Sequence, residues 1–162
     1  MMNLFRGGEA PWIRKGFDLL MMKKPREALE IFSVGLAKEP KDPLGWLGRG
    51  IALSRLGDDR KAVEFFDYAL RLAPGMGSVW ERKGISLARL GRHEQALSCF
   101  EKVLRLEPKD ARAWYHKGLS LEALGRSRDA FDCYDQAIRF SDAPEIRERR
   151  DAVLSLIRLE NR

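Results

Sequence analysis

"VWERKGISLARLG", residues 79–91, sets a Trp and a Gly four positions apart inside an amphipathic helical pattern. At 100° per residue the two share a face, so the bulkiest side chain and no side chain at all look the same way. The pair recurs. Trp12, Trp46, Trp80 and Trp114 are the four tryptophans of the chain, each 34 residues from the next, and Gly16, Gly50, Gly84 and Gly118 follow them by four. Ala28, Ala62, Ala96 and Ala130 keep the same register, as do Phe32, Phe66, Phe100 and Tyr134. Pro40, Pro74 and Pro108 close three units, and Asp142 takes the fourth slot. The units are therefore 9–42, 43–76, 77–110 and 111–144, with an N-terminal extension 1–8 and a C-terminal segment 145–162.

Within a unit the apolar spacing predicts helix A, a tight turn and helix B. Leu56-Gly57, Leu90-Gly91 and Leu124-Gly125 mark the turn in three units, because Gly accepts the left-handed conformation that ends a helix. The first unit has "KKPR" there, and Pro25 starts its helix B. Asp42 and Asp110 read as N-caps of the next helix A. The Gly is expected to open room for helix B at its Ala, while the Trp fills the wide end of the wedge and buries roughly 150–250 Å². In the last segment, "DAPE" reads as a capping box with Asp142 as the cap. Ile146, Val153, Leu156 and Ile157 oppose a polar face of Arg147, Glu148, Asp151, Ser155 and Arg158. This one-sided helix closes the end of the array, with Leu154 and Leu159 either widening its seat or forming a dimer contact.

"PWIRKG", "GWLGRG", "VWERKG", "AWYHKG" and the A-x3-F step of helix B resemble the tetratricopeptide repeat family over residues 9–144. The resemblance implies an all-α, right-handed superhelical solenoid of four helix-turn-helix repeats, completed here by the C-terminal capping helix. It also implies that the A helices line a concave groove, usually for peptides. The chaperone-tail clamp known in the family uses Lys and Asn where this chain has Ile13 and Phe17, so that specific function is rejected.

At 162 residues, 44% hydrophobic and 33% charged, the chain reads as a soluble folded protein or short repeat array. A net charge of +6 suits an acidic partner, nucleic acid included, or is simply a solvated basic surface with interleaved acids. "MMNLFRGG" is too short for a secretory signal, and no apolar run approaches the ~20 residues that cross a bilayer. Two cysteines, Cys99 and Cys133, point to a reducing cytoplasm; both hold one register position on stacked B helices, too far apart for a disulfide. No phosphate loop, nucleophile elbow or dinucleotide motif is present. "HEQAL", residues 93–97, lacks the second His of a zincin, and His93 and His116 hold unrelated positions, so no metal, cofactor or enzymatic activity is expected.

Counting each unit from its first residue, positions 2, 5, 9 and 13 of helix A fall on the face that, by the resemblance, lines the groove. The candidate binding residues are Ile13, Phe17, Met21, Leu47, Ile51, Arg55, Arg82, Ile85, Arg89, Arg112, Tyr115 and Leu119. Phe17, Ile51, Ile85 and Leu119 form an apolar row, which either receives an apolar helix or peptide or is buried between neighbouring A helices. With the arginines beside it, the row suits a ligand pairing apolar anchors with carboxylates. A second series, Lys15, Arg49, Lys83 and Lys117, either tracks phosphates or lays aliphatic stems over the Trp layer. Exposed aromatics are not expected to interleave with these cations. The expected function is a non-catalytic adaptor or scaffold for a protein or peptide. The alternatives are RNA binding through the basic surface and self-association through the groove or the cap helix.

Overall fold

The computed structural model describes residues 10–160; the extension 1–8 lies outside them. Nine helices and no strand occur among the described residues. They are α1 (Pro11–Met21), α2 (Pro25–Lys38), α3 (Pro43–Arg55), α4 (Asp59–Leu72), α5 (Gly77–Arg89), α6 (His93–Leu106), α7 (Ala111–Ala123), α8 (Ser127–Phe140) and α9 (Pro144–Glu160). Two helices fall in each 34-residue unit, and α9 follows the fourth pair. None is long and apolar enough to cross a membrane. The chain divides into two compact units, one ending at Val79 and the other beginning at Trp80. In the first, α2 packs on α1 and α3, and α4 on α3; in the second, α7 packs on α6 and α8, and α9 on α8.

The caps explain the helix boundaries. Asp42 Oδ1 accepts from the Leu44 and Gly45 amides at 2.8 and 3.0 Å, and Asp110 Oδ1 from Arg112 and Ala113 at 2.9 and 3.0 Å. Each cap satisfies donors that the first helical turn leaves without partners. Gly57, Gly91 and Gly125 end their helices at φ 87°, 74° and 73°. The amide after each reaches back to a carbonyl at 3.0, 2.9 and 2.9 Å, the Schellman closure. The first repeat makes the same closure without glycine: Lys23 takes φ 59° and the Lys24 amide bonds the Leu19 carbonyl at 2.9 Å. Pro25 then opens α2, as its fixed φ allows.

The wedge is built differently from the sequence expectation. The partner of the helix-A glycine is the helix-B aromatic rather than the Ala. A Cβ on Gly16, Gly50, Gly84 or Gly118 would stand 2.5–2.7 Å from a ring carbon of Phe32, Phe66, Phe100 or Tyr134. Those four rings are fully buried, whereas all four tryptophans are only half-buried. The aromatic, which reaches farther than Ala, is what needs the missing side chain. Trp12 packs against Gly35 of α2 and Gly45 of α3, where an added Cβ would collide with its ring. Trp46 and Trp114 donate Nε1–H to the Pro40 and Pro108 carbonyls at 2.8 and 3.0 Å, tying helix A to the turn before it.

Two expectations for the last helix are corrected. Asp142 is not its cap, because α9 begins at Pro144 and Asp142 Oδ1 accepts from Arg147 at 2.7 Å. Leu156 and Leu159 are 47% and 63% exposed, so the seat on α8 consists of Ile146, Val153 and Ile157. Polar anchors assist: Tyr134 donates to Glu122 at 2.7 Å, and Arg149 donates to the other oxygen of that carboxylate at 3.1 Å.

Candidate functional site

In the first unit the candidate face is largely closed. Ile13, Leu47 and Ile51 are 0%, 1% and 8% exposed, so this stretch of the face is core. Phe17 is half-buried, edge-on to Phe32 with ring centroids 5.3 Å apart. Arg55, expected to face a ligand, donates to the Leu20 carbonyl at the end of α1. That contact serves the carbonyls a helix C-terminus leaves open. Met21 stands well exposed, at 69%, and is the only apolar residue of this set that does.

In the second unit the corresponding positions surround a cavity of about 310 Å³. Ile85, Ala88 and Arg89 come from α5, His93 and Phe100 from α6, and His116, Leu119 and Ser120 from α7. Helical spacing explains the set: residues three or four apart on α5 and α7 face the same way, and the Gly84–Phe100 approach brings α6 beneath them. Ile85 and Leu119 are half-buried and Arg89 is exposed. Tyr115 packs beside them, its ring 5.8 Å from Tyr134 and 5.5 Å from His116. Arg112 pairs with Glu81 at 3.1 Å, and Arg82 is half-buried.

The register made His93 and His116 unrelated, yet both line this cavity. They come from different repeats, so only the packing of α6 on α7 brings them together. His116 stacks on Phe100 at 5.7 Å, and burial, reinforced by the Arg112 charge, holds its imidazole down at about 4. It is neutral at pH 7. Burial pushes the Glu81 carboxyl upward against the pull of Arg112. Ser120 was also missed. It is 1% exposed, and neither its Oγ nor the buried Nδ1 of His93 has a hydrogen-bond partner among the described residues. The one signal for it was a Ser at a register position where the second repeat has the fully buried Ala52.

The reactive side chains elsewhere are quiet. Cys99 and Cys133 are buried thiols outside any disulfide, and burial raises the Cys133 thiol to about 11, leaving it protonated and weakly nucleophilic. Among the described residues no group of three or more His, Cys, Asp or Glu could hold a metal ion. Three of the four position-7 cations lie over rings. Arg49 sits 4.4 Å from the Phe65 centroid, Lys83 5.4 Å from Trp80 and Lys117 5.7 Å from Trp114. Contrary to expectation, aromatics and cations do interleave at the surface: Trp46 stacks on Phe65 and Tyr68, with Arg49 and Arg71 over those two rings. The cations already face the ring quadrupoles, which favours packing as their role.

A family model described as tetratricopeptide repeat matches residues 16–76 and 82–144. No curated protein matches the chain. Among solved structures, a fragment of MamA from Desulfovibrio magneticus RS-1 is 26% identical, with a TM-score of 0.76 over 93% of this chain and 96% of that one. TTC0263, a thermophilic tetratricopeptide protein of Thermus thermophilus, is also 26% identical, with a TM-score of 0.73 over 92% and 83%. YrrB, described as a tetratricopeptide protein with an unusual peptide-binding site, is 17% identical, with a TM-score of 0.78 over 93% and 78%. The fold class is the all-α solenoid of helix-turn-helix repeats.

Proposed function

The chain belongs to the tetratricopeptide repeat family, a family of protein-interaction modules, and from that premise we propose that it is a non-catalytic adaptor whose second unit captures a peptide or helix. The ligand pairs apolar anchors with acidic groups. One observation carries this reading: the apolar cavity between α5 and α7 opens beside the exposed Arg89 and near Arg112. YrrB adds that this fold accommodates a peptide site. Ile85, Arg89, Arg112, Tyr115 and Leu119 form the contact set, with Arg82 beside them. Phe17 and Met21 offer a smaller surface on the first unit. Ile13, Leu47 and Ile51 leave the set, because a buried side chain has no surface to give a ligand.

The test is fluorescence anisotropy with a library of short peptides alternating Leu or Phe with Asp or Glu. Members should bind in the micromolar range, and Arg89→Glu should weaken them by about tenfold, the loss of one charge-assisted contact. The variant should keep its helical circular-dichroism spectrum, since Arg89 is exposed. A library without any binder sinks the reading. Self-association through α9 is the second reading, carried by the exposed Leu156 and Leu159. Light scattering that shows a monomer at high concentration removes it.

A further inference from the structure

The cavity of the second unit has a feature that generic peptide capture does not require. Buried polar atoms in a folded chain nearly always find a hydrogen-bond partner. Here two that do not, Ser120 Oγ and His93 Nδ1, lie on side chains lining one cavity. Around them the walls are apolar: Ile85, Phe100 and Leu119. Arg89 lines the same space and can only donate. A serine hydroxyl and an imidazole N–H can donate as well, so three residues able to donate line one cavity, which suits an acceptor with several lone pairs. The volume, about 310 Å³, lies at the lower end of the range for small-molecule sites and suits one large side chain with its adjoining group.

We infer that this cavity seats one anchor residue of the partner peptide, its branched or aromatic side chain against Ile85, Phe100 and Leu119 and an adjoining carboxylate at Arg89, His93 and Ser120. The inference rests on peptide capture by this unit and adds which residue is captured and how. The electrostatic setting agrees. Arg112, Arg82 and Arg89 act together on the His116 ring, opposed by Asp110, so an anion enters a positive field. An amine or guanidinium would meet that field unfavourably.

The probe is N-acetyl-leucine, which joins a branched side chain to a carboxylate. It is titrated into the full chain by two-dimensional NMR, reading the imidazoles of His93 and His116 and the amide of Ser120. Saturable shifts confined to these residues are expected, with N-acetyl-leucinamide about tenfold weaker. Ser120→Ala separates binding from folding. Removing an unpartnered buried hydroxyl should raise the melting temperature by about 2 °C while weakening N-acetyl-leucine several-fold. Equal binding of acid and amide, shifts centred elsewhere, or no response up to the solubility limit overturns the inference. If the peptide library binds while the probe fails, the inference falls and the broader reading stands. If the probe binds and no peptide does, both fall, and the cavity holds a small acid instead.

Discussion

Ile51 and Ile85 hold position 9 of helix A in the two compact units, yet Ile51 is 8% exposed and Ile85 is half-buried at a cavity. The difference lies in the neighbours. In the first unit position 5 is Ile13 and Leu47, which close the face as core. In the second, position 5 is Glu81 and Tyr115, a buried carboxylate tied to Arg112 and a tilted ring. Where α3 has Gly48, whose missing side chain leaves room for the Phe32 ring, α7 has His116 stacked on Phe100, and the cavity lies beside those rings. One register position is thus structural in one unit and available for binding in the other.

The largest expected effect would break this contrast directly. Ile51→Ser should cost about 4 kcal/mol, combining a lost buried side chain with an unpartnered hydroxyl. Leu119→Ser, at a half-buried cavity wall, should cost about half as much. Urea titration of both variants measures the gap, and equal losses would erase the distinction between the units. What the units share is next. Gly84→Leu and Gly16→Leu should each cost about 3 kcal/mol or more, since the fully buried Phe100 and Phe32 rings have nowhere to swing. An unchanged melting temperature for either refutes the glycine–aromatic wedge.

The second unit should also carry a pH dependence of its own. His116 in the fold titrates at about 4, below its ordinary 6.5, so between those values the unfolded chain binds more protons. Stability from this site is complete above about pH 6.5 and lost as pH falls toward 4, up to about 3 kcal/mol. His116→Phe should remove that slope, read as the difference between wild-type and variant melting temperatures at pH 7 and pH 4.5. The smallest effect belongs to the first repeat. Lys23 holds a left-handed conformation that the other repeats give to glycine. Lys23→Gly should stabilise by about 0.5 kcal/mol, the relief of roughly 1 kcal/mol of strain offset by unfolded-state entropy. A destabilised variant in calorimetry would show that the Lys23 side chain contributes more than its backbone costs.

The fold was legible because each repeat states it independently. Asp42, Asp110, Pro25 and the three turn glycines are local signals, and each acts on atoms within a few residues of itself. The site was less legible. His93 and Ser120 carry no motif, and they line one cavity only because α6 and α7 pack side by side. Met21 and Arg89 stand exposed on the expected face, but Arg55 turned to a helix end, a choice no spacing encodes.

The 34-residue period by itself determined that the chain is an array of helix pairs, because four in-register copies of Trp, Gly, Ala and aromatic fix helix, turn and contact together. Tertiary structure alone decided which stretch of the apolar row is sealed and which is open. Burial at a position depends on the volumes that neighbouring helices bring to it, and a period counts residues without weighing those volumes.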